Sequence, residues 1–460
     1  MTTGIKKGSI LALSIEKTVY QGQGLAQKDG LKIFVPNTLP GDEVEALITL
    51  KKRDYGEAKV LSFIKRSESR TESPCPHFPT CGGCQFIDVD YIKQLALKES
   101  VIQECAAQFV PEVATAIQPM IPCATPFFYR NKMEFAFGDD NGQLTLGLKK
   151  RGTFSHIVPV SNCQLQSPLT NTILKETVDF FQKVGLKNWN YRSHTGTLRH
   201  LMVRQSKTEN TTMLMLLVSE KHPQIFQEFA DYITKKIPSI VSIYIYFNAE
   251  KGDTPKKIDC TLLFGETHIT ERLGPIVYKI SPLSFFQTNT TQANVLYQNI
   301  KDACSSLKTH LQLSHVELLD LYCGTGSIGL FLSDIVENIM GIEEIPQAIE
   351  DAKKNAENNA ITNATFVCGT VKKGLENLNF KPNIIVTDPP RSGMNPKDLT
   401  NMIALNPDGI IYVSCNPMTL CRDLQTLTAA NYEVKSIQPI DMFPHTFHME
   451  CVTQLIKKKS

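Results

Sequence analysis

From residue 316 onward, short apolar runs alternate with stretches of helical period, and this alternation leaves few folds open. The runs are VELLDLY (316–322), NIMGIEE (338–344), ATFVCGT (364–370), NIIVTDPP (383–390), GIIYVSCNP (409–417), YEVKSIQPI (432–440) and CVTQLIKK (451–458). Between the second and third, PQAIEDAKKNAENNA (346–360) starts on a proline and continues with polar helical periodicity. Strands joined through helices make right-handed crossovers and a mainly parallel sheet. The reading is an α/β unit with a seven-stranded sheet over 281–460.

Such sheets bind ligands at the carboxyl ends of their strands. The first strand end, Asp320-Leu321-Tyr322-Cys323-Gly324-Thr325-Gly326, with Gly329, matches a nucleotide-binding glycine turn. Glu343 and Glu344 follow about 20 residues on, where an acid takes ribose hydroxyls. Any tight strand-to-helix turn would also need those glycines. The fourth strand is more telling. It exits through TDPPRSG (387–393), an acid-Pro-Pro turn that many nucleic-acid methyltransferases aim at the target base and an NAD enzyme does not need. Amine methylases usually follow the prolines with an aromatic residue. Arg391 stands there instead.

Cys415 ends the next strand, so it shares that rim. By itself a strand-end cysteine is a small core hydrophobe. Beside a methyl-donor site it has a second reading. C5 of uracil is a poor nucleophile until a thiolate adds to C6, and a base must later remove the C5 proton. Cys415 and Glu450 fit those two parts. His448 is a rival base, and His445 is read as packing or capping. Glu450 read singly is a surface carboxylate.

The rest of the chain reads as two further units. Residues 1–66 carry short alternating runs separated by turn residues, which predicts a small β-barrel. Eleven Lys/Arg against seven Asp/Glu there favour RNA over a merely solvated face. Residues 67–280 hold a predicted helix near 90–109, which is expected to pack on the last unit, and strands FYRNKMEFAF, LTLGL, TLRHLMVRQ, TMLMLLV and SIVSIYIYFN. Basic groups at Arg130, Lys132, Lys149–Arg151, Arg199, His200 and Arg204 are candidate RNA contacts. The net charge of +2 means that RNA must be met by local patches. Lys457–Lys459 reads as a solubilising tail. CPHFPTCGGC places Cys75, Cys81 and Cys84 in one loop, and Cys163 is the natural fourth ligand. Three clustered cysteines and one remote one suit iron–sulfur ligation, and zinc is the alternative. Thirteen cysteines without a secretion signal imply reduced thiols and a cytoplasmic setting. No run is long enough to predict a membrane span.

DLYCGTG, TDPPRSG, VSCNPMT and HTFHME, with SPLSFFQTN upstream, resemble the RNA uracil-C5 methyltransferases, specifically the bacterial 23S rRNA type. Residues 1–66, with GQGLA and LPGDEVEA, are similar to the TRAM domain of that family, which its bacterial tRNA-specific members lack. The resemblance implies a class I, Rossmann-like methyltransferase domain behind a TRAM barrel and a central α+β iron–sulfur domain. It implies Cys415 as nucleophile and Glu450 as base. Gln287, Tyr322, Glu343 and Asp388 match the S-adenosylmethionine positions. Cys75, Cys81, Cys84 and Cys163 match a 4Fe–4S site. RNA, foremost 23S rRNA, is the expected partner of a monomeric chain. A tRNA substrate, or a non-catalytic RNA-binding protein on the same fold, are the alternatives. RNA cytosine-C5 methyltransferases are set aside, because their cysteine directly follows the fourth-strand proline.

Overall fold

The computed structural model describes residues 4–252 and 259–458. Lys459, in the terminal lysine run, lies outside them. Three large sheets follow one another along the described residues, with a two-stranded hairpin before the third. The first comprises β1 (Ile10–Ser14), β2 (Lys17–Val19), β3 (Gln23–Lys28), β4 (Leu31–Val35), β5 (Glu43–Lys51) and β6 (Tyr55–Lys65), in the order β1-β5-β6-β4-β3-β2. Its two edge strands, β1 and β2, are neighbours in sequence, separated only by Ile15 and Glu16. The sheet must therefore curl until its edges meet, which is a barrel. Alternating residues such as Ile33, Val35, Val44, Ala46 and Ile48 fill it.

After α1 (Tyr91–Phe109) comes a sheet of β7 (Lys132–Asp140), β8 (Gln143–Lys149), β9 (Ile157–Pro159), β10 (Leu198–Gln205), β11 (Thr212–Val218), β12 (Ile240–Phe247) and β13 (Asp259–Gly265). Helices α2 (Pro168–Val184) and α3 (Pro223–Lys236) supply Ile173, Phe181, Phe229 and Ile233 to its core. Two sequence expectations fail here. Phe128–Asn131 is not strand: Arg130 makes isolated bridges to Gln166 and Asn289 instead. Arg199 and Arg204 are not on an RNA-facing surface. All eight residues of β10 are buried, because it is a central strand covered on both faces. Arg199 donates to the carbonyls of Asn248 and Glu250, and Arg204 to those of Ser281 and Ser284. Both guanidiniums tie loops together.

The hairpin β14 (Ile269–Leu273) and β15 (Ile276–Ile280) precedes residue 281, yet its Leu273, Tyr278 and Ile280 belong to the core of the third sheet. That sheet follows α4 (Thr290–His310). It contains β16 (Glu317–Leu321), β17 (Asn338–Glu343), β18 (Ala364–Cys368), β19 (Ile384–Thr387), β20 (Gly409–Ser414), β21 (Tyr432–Ile440) and β22 (Glu450–Lys457), in the order β18-β17-β16-β19-β20-β22-β21. The helices between are α5 (Ser327–Leu332), α6 (Pro346–Asn358), α7 (Val371–Leu375), α8 (Pro396–Ala404) and α9 (Pro417–Ala429). Only β22 runs antiparallel to its neighbours. Successive strand residues alternate between two cores. Leu318, Ile384, Ile411 and Val413 face α4 and α5, while Leu319, Ile385, Ile410 and Tyr412 face α8 and α9. Burial on both faces is why these segments read as unbroken apolar runs. Helix α1 joins the second core through Val101, Ile102, Cys105 and Ala106, beside Leu420 and Leu424 of α9. No helix among the described residues is long and apolar enough to cross a membrane.

Candidate active site

Strand β16 lies between β17 and β19, so the chain switches direction there and opens a crevice at the strand ends. The β16 exit bends sharply. Tyr322, Gly324 and Gly326 have φ of 60°, 55° and 74°. At Gly326 an added Cβ would come within 2.9 Å of the Phe366 ring, so no side chain fits. The Gly324 N–H donates to Glu343 Oε2 at 3.2 Å, and the Ile345 N–H to Oε1 at 3.0 Å. The Tyr322 hydroxyl donates to Asp398 Oδ2 at 3.0 Å. Beneath the turn, Asp320 is fully buried; its Oδ2 accepts from the Gly329 N–H at 3.0 Å and its Oδ1 has no partner. Burial, with Asp388 and Glu343 adding repulsion, pushes Asp320 to about 8. Burial lifts Asp388, at the β19 exit, to about 6. Glu343 and Asp388, at the ends of the two strands flanking β16, give this rim negative potential, which suits a cationic ligand, whereas Asp320 is largely protonated at neutral pH and supports the turn from beneath.

The strand register brings the thiol and a buried carboxyl to the same end of the sheet. β20 and β22 pair antiparallel, with Ser414 opposite Cys451 as the last ladder step. The ladder ends there, and the next residues on the two strands are Cys415 and Glu450, which lie within electrostatic reach of each other. Burial raises the Cys415 thiol to about 12, Glu450 and Asp388 push the same way, and Arg391 opposes them. Glu450 is 4% exposed and its Oε2 has no partner. Burial and Asp388 hold it well above the usual carboxylate range, again against Arg391. Asn416 caps α9 through Oδ1 on the Met418 N–H, and its Nδ2 donates to the Arg391 carbonyl at 2.8 Å. Thiol, two carboxyls and guanidinium thus form one electrostatic unit. The rival base is weak: burial lowers His448 to about 3, and its ring lies 4.0 Å from that of Phe447. His445 packs. Its φ is 66°, burial lowers it to about 4, and its carbonyl accepts from the Gln85 and Phe86 N–H groups.

Several participants escaped sequence reasoning. The loop between β21 and β22, which delivers Glu450, is clamped by Lys98 of α1. Its buried Nζ reaches Asp441 at 2.6 Å and the carbonyls of Phe443 and His448 at 3.1 and 2.8 Å. The available signal was a lysine one helical turn before Val101 and Ile102, on an apolar stripe. Asp320 was visible as the acid opening the glycine turn. Gln287 is buried on the segment leading to α4, where its carbonyl accepts from Asn131 Nδ2 at 2.9 Å. It bonds no member of the carboxyl cluster.

The four candidate cluster cysteines converge from two segments. Burial raises Cys84, and Cys163, Cys81 and Cys75 add to the rise. Backbone N–H groups of Gly83 and Leu165 point to the sulfurs of Cys81 and Cys163 at 3.4 and 3.5 Å. All four thiols are free. Among the described residues no three His, Cys, Asp or Glu side chains stand in metal-binding geometry. Electrostatic reach is longer than a metal–sulfur bond, so the thiols are neighbours without forming a closed ligand set.

Comparison with known proteins agrees with this architecture. Residues 90–458 match the tRNA (uracil-5-)-methyltransferase family, and residues 5–61 match the TRAM domain. An uncharacterized RNA methyltransferase of Halalkalibacterium halodurans is 32% identical over 98% of this chain and 98% of its own. One from Bacteroides thetaiotaomicron is 34% identical over 95% of this chain and 99% of its own. Among solved structures, the Pyrococcus abyssi tRNA (uracil-54, C5)-methyltransferase in complex with S-adenosyl-L-homocysteine superposes with a TM-score of 0.76 at 25% identity, covering 97% of this chain and 100% of that one. With the thiol, the acid-Pro-Pro turn and the carboxyl-lined crevice on one strand rim, the chain belongs to the tRNA (uracil-5-)-methyltransferase family of RNA methyltransferases and carries a TRAM domain at its N-terminal end.

Proposed function

We propose that this protein methylates C5 of uracil in RNA, with 23S rRNA as its substrate, using Cys415 as nucleophile and Glu450 as general base. The observation that supports this is the β20–β22 register, which ends one residue short of the thiol and the buried carboxyl and so brings them to the same end of the sheet, within electrostatic reach. Glu343 and Asp388, with Tyr322 and Gln287, would hold S-adenosylmethionine, a sulfonium whose charge the carboxyls match. When bound it supplies the electrophilic methyl group. The homocysteine analogue in the Pyrococcus abyssi relative supports that assignment.

The residues of the chain do the rest. Cys415 loses its proton to solvent, helped by Arg391, and the thiolate bonds to C6, moving the C5–C6 π electrons onto C5 and O4 and leaving C5 nucleophilic. After methyl transfer, Glu450 removes the C5 proton, the C5–C6 double bond re-forms and the C6–S bond breaks. A base in a low-dielectric pocket holds that proton more strongly than a solvated carboxylate would. The target uridine must leave its stack or lie in a loop to reach this rim. Phe285, 67% exposed and two residues from Gln287, is an aromatic surface suited to an unpaired base.

Cys75, Cys81, Cys84 and Cys163 would hold a 4Fe–4S cluster. Four converging thiols with backbone N–H groups on two of the sulfurs support this. The reaction transfers no electrons, so the cluster would tie the 75–84 loop to the segment around 163. A tRNA substrate is the second reading, favoured by the Pyrococcus abyssi enzyme, whose whole chain aligns with this one. The test is tritium release from RNA labelled at uridine C5, run on 23S rRNA and on tRNA. Release that needs S-adenosylmethionine and is absent in Cys415→Ala is the expected result, and the responding RNA identifies the substrate. No release from either RNA with cofactor-loaded protein would sink the uracil-C5 reading.

A further inference from the structure

We infer that Tyr20, on a turn of the N-terminal barrel, is a positioning residue of the methyltransferase site, holding the Cys415–Asn416 turn and the loop that delivers Glu450. The inference rests on the proposed roles of those two residues. The turn Tyr20–Gly22 follows β2 and leaves the barrel in an uncommon conformation, with φ of 68° at Gln21 and 69° at Gly22. A non-glycine residue in that region is strained and persists only where its surroundings hold it.

The surroundings here belong to the active-site domain. A Cβ at Gly22 would lie 3.0 Å from Phe447 Cβ and 3.1 Å from Phe86 Cζ, so the turn is seated directly on the loop preceding Glu450. The Tyr20 ring meets Phe447 edge-on at 6.2 Å, and Phe447 lies 4.0 Å from the His448 ring, two residues before Glu450. Tyr20 also packs against the core that contains Leu420 and Cys421 of α9. The seam between this turn, α1 and Pro417 leaves only about 10 Å³, room for one water at most. Lys17 pairs with Glu104 of α1 beside it.

The hydroxyl end explains why a tyrosine serves here. Burial and the neighbouring Cys415 raise the phenol above its ordinary range, and Arg391 and Asn416 oppose them, so the hydroxyl end stands beside the cysteine turn whose Pro417 shares its seam. Asn416 in turn holds the Arg391 carbonyl. The phenol therefore braces the residue that links the nucleophile to the one cation favouring its ionised form. A barrel that only captured RNA would need no contact with this turn.

The test uses the full chain with Tyr20→Phe, which keeps the ring, and Tyr20→Ala. Cys415 alkylation by iodoacetamide at pH 8 is followed by mass spectrometry of its peptide, without RNA or cofactor. Single-turnover tritium release at saturating RNA and RNA affinity are measured alongside. With Tyr20→Phe, alkylation and single turnover both slow by roughly fivefold or more, since a thiolate fraction falls tenfold per unit of thiol pKa. RNA affinity stays within about twofold of the parent. Unchanged alkylation and turnover in both variants would overturn the inference, as would weakened RNA binding with an unchanged saturating rate. If the parent releases no tritium, the uracil-C5 reading falls, while the alkylation rates still decide whether Tyr20 positions the thiol. Should Tyr20→Ala disturb the barrel, Tyr20→Phe carries the test.

Discussion

Removing the Lys98 ammonium, as in Lys98→Met, isolates the clamp on the Glu450 loop. The loss is worked from its three contacts. Asp441 keeps the Tyr91 hydroxyl at 2.8 Å and the Phe443 N–H at 3.3 Å but loses its counter-charge. The Phe443 carbonyl keeps the Thr446 hydroxyl at 2.8 Å, whereas the His448 carbonyl loses the Lys98 donor. An uncompensated buried carboxylate costs about 3–5 kcal/mol, and an orphaned carbonyl about 1–3 kcal/mol. The two overlap, so roughly 4 kcal/mol is the working figure. Asp441→Asn added to Lys98→Met removes the stranded charge and recovers about 2 kcal/mol of it. The single tryptophan, Trp189, lies against Leu198 and Arg199 of the central sheet, so fluorescence would miss this effect. Hydrogen exchange of peptides spanning 441–449 reads it directly. Protection there falls on the order of a thousandfold in Lys98→Met, at tenfold per 1.4 kcal/mol. The double variant regains at least tenfold, and single-turnover methylation follows the same order. Less than a tenfold loss of protection, or a double variant worse than the single one, would refute the clamp.

Four other outcomes follow from the site. Glu450→Gln keeps the fold, because the amide matches the carboxyl in shape and removes a charge that burial disfavours; loss of the base slows proton removal by about 10²–10⁴, and a protein–RNA adduct accumulates on denaturing gels. The parent's single-turnover rate rises with pH from 6 to 8, since burial keeps the resting Cys415 thiol protonated and each step upward adds thiolate; a rate flat over that window would show that ionisation of the thiol is not limiting. Asp320→Asn stabilises the protein above neutrality. The folded-state value of about 8 lies above the unfolded carboxylate range, so the parent loses stability as pH rises from about 4 to 8. The variant does not, and a gap on the order of a few kcal/mol should open over that window in chemical denaturation. Anaerobically purified protein carries iron and acid-labile sulfide in a one-to-one ratio, and Cys84→Ser loses both; zinc without sulfide would replace the cluster reading by a zinc site.

The apolar runs from 316 onward determined the sheet by themselves, because strands buried on both faces leave little choice of residue. Turn chemistry did the same for the barrel: with β1 and β2 adjacent in sequence and opposite in strand order, closure is a consequence of connectivity. Cys415, Asp388 and the glycine turn were legible because each sits at a strand end, where chain direction alone sets the rim. The partners of these residues were not. Glu450 reaches the same end of the sheet as Cys415 only through an antiparallel register, and single-chain periodicity carries no register. Arg199 and Arg204 read as surface cations, yet a central strand buries them, since sheet order decides which strands have solvent. Lys98 reaches Asp441, and Tyr20 the cysteine turn, across hundreds of residues. Contacts at that separation arise when α1 and the barrel turn dock on α9, and the resulting burial, not residue identity, sets the protonation of the thiol and the carboxyls.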